Sequence, residues 1–169
     1  LPQDGNPKPR LFRLIKDEGI INRMGFNNEG AEKLRERILK AKKRTRKDFI
    51  VGINIGKNKD TPLEKASDDY VKCLDVLYDA GDYFTINISS PNTEGLRKLQ
   101  EDKQLNNLLF EIIMKRNEIV RTKNLPEKCL FLKIAPDLND DEIKAIYNAA
   151  TYYGLDGRIT PNTKLTRKK

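Results

Sequence analysis

Four β-type runs, residues 49–55, 83–88, 129–135 and 156–160, alternate with stretches whose apolar residues recur at helical spacing. That alternation constrains the fold more than any other feature. Strands that begin about 25–50 residues apart with a helix between them are βαβ units, and such strands pair in parallel. The first helix is expected over residues 31–43, with Leu34, Ile38 and Ala41 inward and Asn28 as its cap. The second opens at Thr61-Pro62-Leu63-Glu64, a cap followed by proline at the first position and glutamate at the third. Its Ala66, Tyr70, Cys73, Leu74 and Leu77 read as core rather than cofactor contacts. A third helix covers residues 102–121, with Leu105, Leu108, Leu109, Ile112 and Ile113 inward. The fourth starts at the capping pair Asn139 and Glu142 and runs to about Tyr153, where Gly154 closes it. Upstream, residues 10–16 and 20–24 form a short β-hairpin turning at Asp17-Glu18-Gly19. The expected class is α/β.

The second run, DYFTINISSPNTEGLR, ends in amides and hydroxyls instead of an ordinary turn. Pro91 has no N–H for a sheet, so the strand stops there. Alternation puts Asn87 and Ser89 on one face, while Ser90 points the other way or starts the loop. A site and a polar turn are both open readings. Asn54, Asn87, Lys133 and Asn162 each lie near the C-terminal end of a strand, and in parallel β/α sheets those ends gather where ligands bind. In NRMGFNNEG, Gly25 permits close backbone approach, Phe26 offers a flat apolar surface, and Asn22 and Asn27 offer amides; a loop leading into a helix is the alternative. Carboxamides pair bidentately with ring imides, so a flat heterocycle with alternating C=O and N–H groups is a natural ligand. A buried lysine supplies positive charge where an anion develops.

Composition narrows the chemistry. The chain has 169 residues, enough for one domain, and its 34% charged and 37% hydrophobic content fits an ordered soluble protein. No apolar run approaches the ~20 residues of a membrane span, and residues 1–16 lack a signal-peptide core. There are no histidines, which excludes a Ser–His–Asp triad, a Cys–His pair and any His-ligated metal; no metal site is expected. Cys73 and Cys129 lie far apart in apolar-patterned segments and read as buried free thiols. Without such groups a hard reaction needs an organic cofactor, and a flavin is the economical choice. The net charge of +8 is concentrated in residues 40–47 (KAKKRTRK) and 164–169. A solvated helix end and tail are the default, with acidic lipid or nucleic acid as the other reading. GKNKD lacks the Walker spacing and is not a phosphate loop.

INISSPNTEGLR, NRMGFNNEG, GINIGKNKDTP and LKIAPDL, in unbroken order from about Leu1 to about Asp156, resemble the membrane-associated, quinone-linked class of dihydroorotate dehydrogenases. The resemblance implies a partial (β/α)8 TIM barrel, roughly strands 3–6 with their helices, preceded by the hairpin. Residues 1–169 would form one incomplete FMN-dependent barrel domain, truncated at both ends. The implied reaction oxidises (S)-dihydroorotate to orotate with FMN and a quinone acceptor, in de novo pyrimidine (UMP) biosynthesis. Ser90 matches the general base that takes the ring C–H proton while hydride goes to the flavin; relatives with a soluble acceptor place Cys there. Asn22, Arg23, Met24, Gly25, Phe26, Asn87, Asn92, Asn162 and Thr163 match substrate-binding positions. Asn54, Asn87 and Lys133 match flavin-binding positions, Lys133 balancing charge on the reduced ring. Serine is a weak base, so the proton leaves through ordered water or a hydroxyl such as Thr93, and NTEGLRKLQ would serve as a lid.

The family's amphipathic quinone-entry helices, upstream substrate-carboxylate lysine and late glycine-rich phosphate loops have no match in this chain. Arg158 stands where an apolar strand residue is expected, and Pro161 where the family places a flavin-contacting threonine. Half a barrel exposes two sheet edges and an apolar flank, so the chain alone is expected to be unstable or partner-dependent and unable to turn over. Membrane contact would come through a segment absent here. The location implied is the cytoplasmic face of the inner membrane in a bacterium, or the mitochondrial inner membrane in a eukaryote. A non-catalytic remnant and a basic nucleic-acid-binding module are the alternatives from other classes.

Overall fold

The computed structural model describes residues 2–90 and 96–160. Its backbone is a four-stranded parallel sheet in sequence order, β3 (Gly52–Ile55), β4 (Tyr83–Asn87), β5 (Cys129–Lys133) and β6 (Gly157–Ile159). A separate antiparallel hairpin, β1 (Leu11–Leu14) and β2 (Gly19–Asn22), precedes it. The helices are α1 (Ala31–Lys42), α2 (Ala66–Leu77), α3 (Asp102–Lys123) and α4 (Asp140–Tyr152). The expected order of βαβ units is therefore present, and each strand neighbours its successor, as right-handed crossovers favour.

Register decides what each face of the sheet does. Ile53 pairs with Phe84 and Phe84 with Leu130, while Ile55 pairs with Ile86 and Ile86 with Leu132, so these six share a face. All six are buried in the core with Tyr70, Leu74 and Leu77 of α2, Leu105, Leu108, Leu109 and Ile112 of α3, and Ile146 of α4. Each fully buried aliphatic contributes about 1.5–3 kcal/mol by leaving water. The opposite face carries Gly52, Asn54, Tyr83, Thr85, Asn87, Cys129, Phe131 and Lys133. It is far less covered: Gly52, Asn54 and Cys129 are exposed, and Tyr83, Phe131 and Lys133 half-buried. The Tyr83 ring lies across Gly52 and the Phe131 ring across Gly157, and the two rings meet edge-on at 5.4 Å. Bulky rings over cross-strand glycines support a sheet that must curve.

The ends of the elements differ from expectation in instructive ways. Residues 49–51 stand outside β3, with Phe49 and Ile50 exposed; Val51 is tied to the start of β4 through Asp82. Gly30, not Asn28, flanks α1; the Asn28 side chain instead accepts the Gly30 amide at 2.9 Å, closing a local turn. On α1, Leu34 and Ala41 are exposed and only Ile38 of the expected stripe packs on the core. Thr61 caps nothing: a 3-10 turn over Leu63–Lys65 intervenes and α2 begins at Ala66. Neither thiol is fully buried, Cys73 being half-buried and Cys129 exposed, since Cys129 starts β5 on the open face. The Asn139–Glu142 capping box forms as expected, with bonds of 2.9 and 2.8 Å. Arg158 falls on the helix-covered face, where it lies 3.9 Å over the Tyr147 ring and donates to Tyr147 O and Thr151 Oγ1. The basic residues of 40–47 are mostly exposed, and Lys42 pairs with Asp82. Among the described residues no helix is long and apolar enough to cross a membrane, and no cluster of metal-binding side chains occurs.

Candidate active site

Asn87 and Lys133 are register partners at the C-terminal ends of adjacent strands, and Asn54 sits on the same face one strand over, opposite Thr85. Three of the four strand-end groups therefore converge by the arithmetic of parallel pairing. Asn162, the fourth, lies outside the described residues, as do Thr163, Asn92 and Thr93.

The end of β4 is tightly specified. Asn87 is only 3% exposed. Its Oδ1 accepts both the Ser89 amide, at 3.1 Å, and the Ser89 hydroxyl, at 2.6 Å. That is an Asx-type turn built on the strand's last residue, and it explains why a polar run follows an apolar one. Ile88 N–H donates to Lys133 O at 3.2 Å, tying β4 to β5 just past the ladder. Ser90, the residue matched to the general base, is 5% exposed and so largely withdrawn from water. On the other side of β4, Phe26 packs against Gly56, where an added Cβ would come within 3.0 Å of the ring. Gly25 reaches that position with φ +71°, a left-handed backbone that glycine adopts freely. Phe26, Gly56 and Asn54 also line a cavity of about 740 Å³ between the N-terminal segment, α1, α2 and the free edge of β3.

The remaining hairpin-side residues divide. Asn22 closes β2 and accepts the Met24 amide at 3.4 Å, while Met24 is half-buried. Arg23 is committed elsewhere: its Nε and Nη2 both donate to Pro9 O, at 3.0 and 2.8 Å, bracing the base of the hairpin. The expected lid is also redefined. Residues 91–95 lie outside the description, but Leu96–Gln100 is a 3-10 helix with Leu96 and Leu99 in the core. Arg97 joins Ser89 O to Asp137, and Gln100 accepts the Ala135 amide at 2.9 Å. Its two buried leucines anchor that half of the loop to the core.

Three donors on the open face have nothing in the described protein to donate to. The Lys133 ammonium, the Asn54 carboxamide and the Asn87 Nδ2 make no hydrogen bond or ion pair among the described residues. Polar groups set side by side without internal partners, at the mouth of a parallel sheet, are complementary to a flat, acceptor-rich ligand.

A family model described as dihydroorotate dehydrogenase matches residues 1–169. The chain belongs to the dihydroorotate dehydrogenase family. It is 51% identical over 169 residues to a dihydroorotate dehydrogenase (quinone) of Dechloromonas aromatica, and 52% identical over 168 residues to one of Aliivibrio fischeri. It covers 99% and 98% of its own length in these matches and 48% of each relative, so it spans about half of them. A crystal structure of DHODH from Eimeria tenella in complex with ferulenol superposes with a TM-score of 0.90 at 39% identity, over 99% of this chain and 49% of that one. The ligand-free form gives 0.87, covering 51% of that chain. The four-stranded sheet and hairpin thus correspond to about half of a dihydroorotate dehydrogenase barrel.

Sequence reasoning missed several residues that shape the site. Tyr70 was read as core, and it is fully buried, yet its hydroxyl reaches the backbone of Asn87 at 2.9 Å. Lys57 belongs to GKNKD, which has no phosphate-loop spacing; its buried ammonium donates to Asn58 O and Thr61 O and folds the loop after β3 upon itself.

Proposed function

We propose that this chain supplies the substrate-and-flavin half of a quinone-linked dihydroorotate dehydrogenase, oxidising (S)-dihydroorotate to orotate for pyrimidine biosynthesis. The observation that carries the reading is a set of donors on one sheet face with no partner among the described residues: the Lys133 ammonium, the Asn54 carboxamide and Asn87 Nδ2. They suit FMN, whose ring edge presents carbonyl oxygens and nitrogens and gains negative charge on reduction. Bound there, the flavin would supply the hydride acceptor that the protein lacks. Lys133 offsets the developing charge, and Asn54 and Asn87 orient the ring system by carboxamide bonds. Asn22, Gly25, Phe26, Asn87 and Asn92, with Asn162 and Thr163, bind the dihydropyrimidine; Arg23 acts by bracing the hairpin. Ser90, in its dehydrated position, takes the ring C–H proton.

Residues 1–169 form one barrel-derived unit in this reading, and turnover requires the segments that the relatives have and this chain does not match. Membrane contact and quinone entry belong to those segments. The peripheral inner membrane is the proposed location, on its cytoplasmic face if the source is bacterial. The test is a chimera in which this chain replaces the matching half of the Dechloromonas aromatica relative. The chimera should bind FMN and reduce a quinone with dihydroorotate, while the 169-residue chain alone should not turn over. A folded chimera that holds FMN but leaves dihydroorotate unoxidised would reject the reading.

A further inference from the structure

The last regular pair between β3 and β4 is Ile55 with Ile86; beyond it the two strands are joined through a side chain. The Tyr70 hydroxyl, presented by α2 from beneath the sheet, donates to Asn87 O at 2.9 Å. The Lys57 backbone lies beside the same phenol oxygen, in the loop that continues β3. The phenol thus sits between the continuations of the two strands and donates to that of β4. Tyr70 is completely buried, and burial pushes its phenol above the ordinary value, so it stays a neutral O–H donor at any working pH. Its neighbour Asp69 holds the same loop, accepting the Asn58 amide at 2.8 Å.

We infer that Tyr70 is a positioning residue for Asn87, setting through one hydroxyl the place and angle at which that carboxamide meets its ligand. The inference rests on the proposed reading of Asn87 as a ligand contact. The physical reason is a chain of fixed bonds. Tyr70 holds the Asn87 carbonyl and Ser89 holds the Asn87 Oδ1, so among the described residues the Asn87 Nδ2 is left to face a ligand. Extending β3 by a direct backbone rung would draw Gly56 against β4 and close the space in which Phe26 sits. The inserted hydroxyl instead keeps the two strand ends bridged at a distance.

Tyr70→Phe removes the hydroxyl and keeps the packing. It is measured in the natural protein that carries this chain, with orotate as the probe and the Asn87 side-chain NH2 resonances as a second readout. We expect those resonances to shift without ligand and the orotate dissociation constant to rise about tenfold, the loss of one well-placed bond. Asp69→Asn, which perturbs the same loop without touching Asn87, should change orotate affinity less than about threefold. Orotate binding equal in wild type and Tyr70→Phe, or unshifted Asn87 resonances, overturns the positioning role. Where the wild type itself does not bind orotate, Asn87 resonances shifted in Tyr70→Phe would support positioning and defeat the ligand reading instead.

Discussion

The Asp82 carboxylate accepts the Val51 amide at 2.7 Å, and the Asp82 amide returns a bond to Val51 O at 2.8 Å. Asp156 does the same with Leu130, at 2.8 and 3.0 Å. Each aspartate precedes a strand and locks it to the preceding one at the end of the sheet opposite Asn87 and Lys133. In (β/α)8 folds that end serves stability while the other serves chemistry. Asp82→Ala should therefore lower unfolding free energy by about 1–3 kcal/mol, since the Val51 amide loses its acceptor. Asp82→Asn keeps an oxygen there and should cost less. Urea midpoints that rank the two the other way would refute this account.

Acid should weaken the fold through the same groups. The Arg35 guanidinium holds the Asp79 carboxyl below its usual range. Burial pushes Asp82 upward, but the Lys42 and Val51 hydrogen bonds and the Lys42 and Lys128 charges outweigh it, leaving that carboxyl lowered too. In the window between the lowered folded values and the ordinary ~3.9, the unfolded chain binds more protons. Stability is thus present above about pH 4 and is lost as pH falls through the folded values. Urea midpoints followed downward from pH 6 should drop, and Asp79→Asn with Asp82→Asn should flatten the drop.

A methyl group at Gly52 would strike the Tyr83 ring, whose Cζ lies 2.1 Å from the position of the new Cβ. Gly52→Ala should swing that ring aside, break its edge contact with Phe131 and cost about 1 kcal/mol. In a Tyr83→Leu background the same change should cost measurably less. Equal costs in the two backgrounds would mean the ring does not rest on the glycine.

Asn139→Ala removes the side-chain half of the capping box, the acceptor of the Glu142 amide, and should destabilise the protein by about 1 kcal/mol, with Asn139→Asp nearly neutral. Thermal melts of the two variants separate the capping bond from the side chain's bulk.

At the site, Lys133→Met should weaken FMN binding about 10- to 100-fold, the range for a hydrogen bond from a charged group. Ser90→Ala should leave FMN and orotate bound while slowing dihydroorotate oxidation about 10²- to 10⁴-fold. Both are read in the natural protein, by flavin fluorescence titration and steady-state rates. A Ser90→Ala protein with wild-type turnover would remove the serine from the mechanism.

The β/α alternation, the parallel sheet and the Asn139 cap are legible from residue order because they depend on local pattern: apolar period, proline, and a polar residue three positions before a glutamate. Asn54, Asn87 and Lys133 were legible as strand-end residues for the same reason. Tyr70 was not, since a tyrosine on the apolar stripe of a helix looks identical whether or not its hydroxyl finds a backbone acceptor 17 residues on. Nothing in NRMGF says that the Arg23 guanidinium folds back onto Pro9 O. The caps expected at Asn28 and Thr61 gave way to other local geometry: the Asn28 side chain accepts the Gly30 amide, and a 3-10 turn over Leu63–Lys65 separates Thr61 from α2.

By itself, then, the sequence determined which segments are strands and helices, the parallel pairing, and the strand tips that carry amides and a lysine, because these follow from short-range period and sterics. Tertiary structure alone decided which of those tips share a face, which polar groups are consumed internally and which remain open. Those outcomes depend on register and on hydrogen bonds between residues far apart in the chain, and no local pattern encodes them.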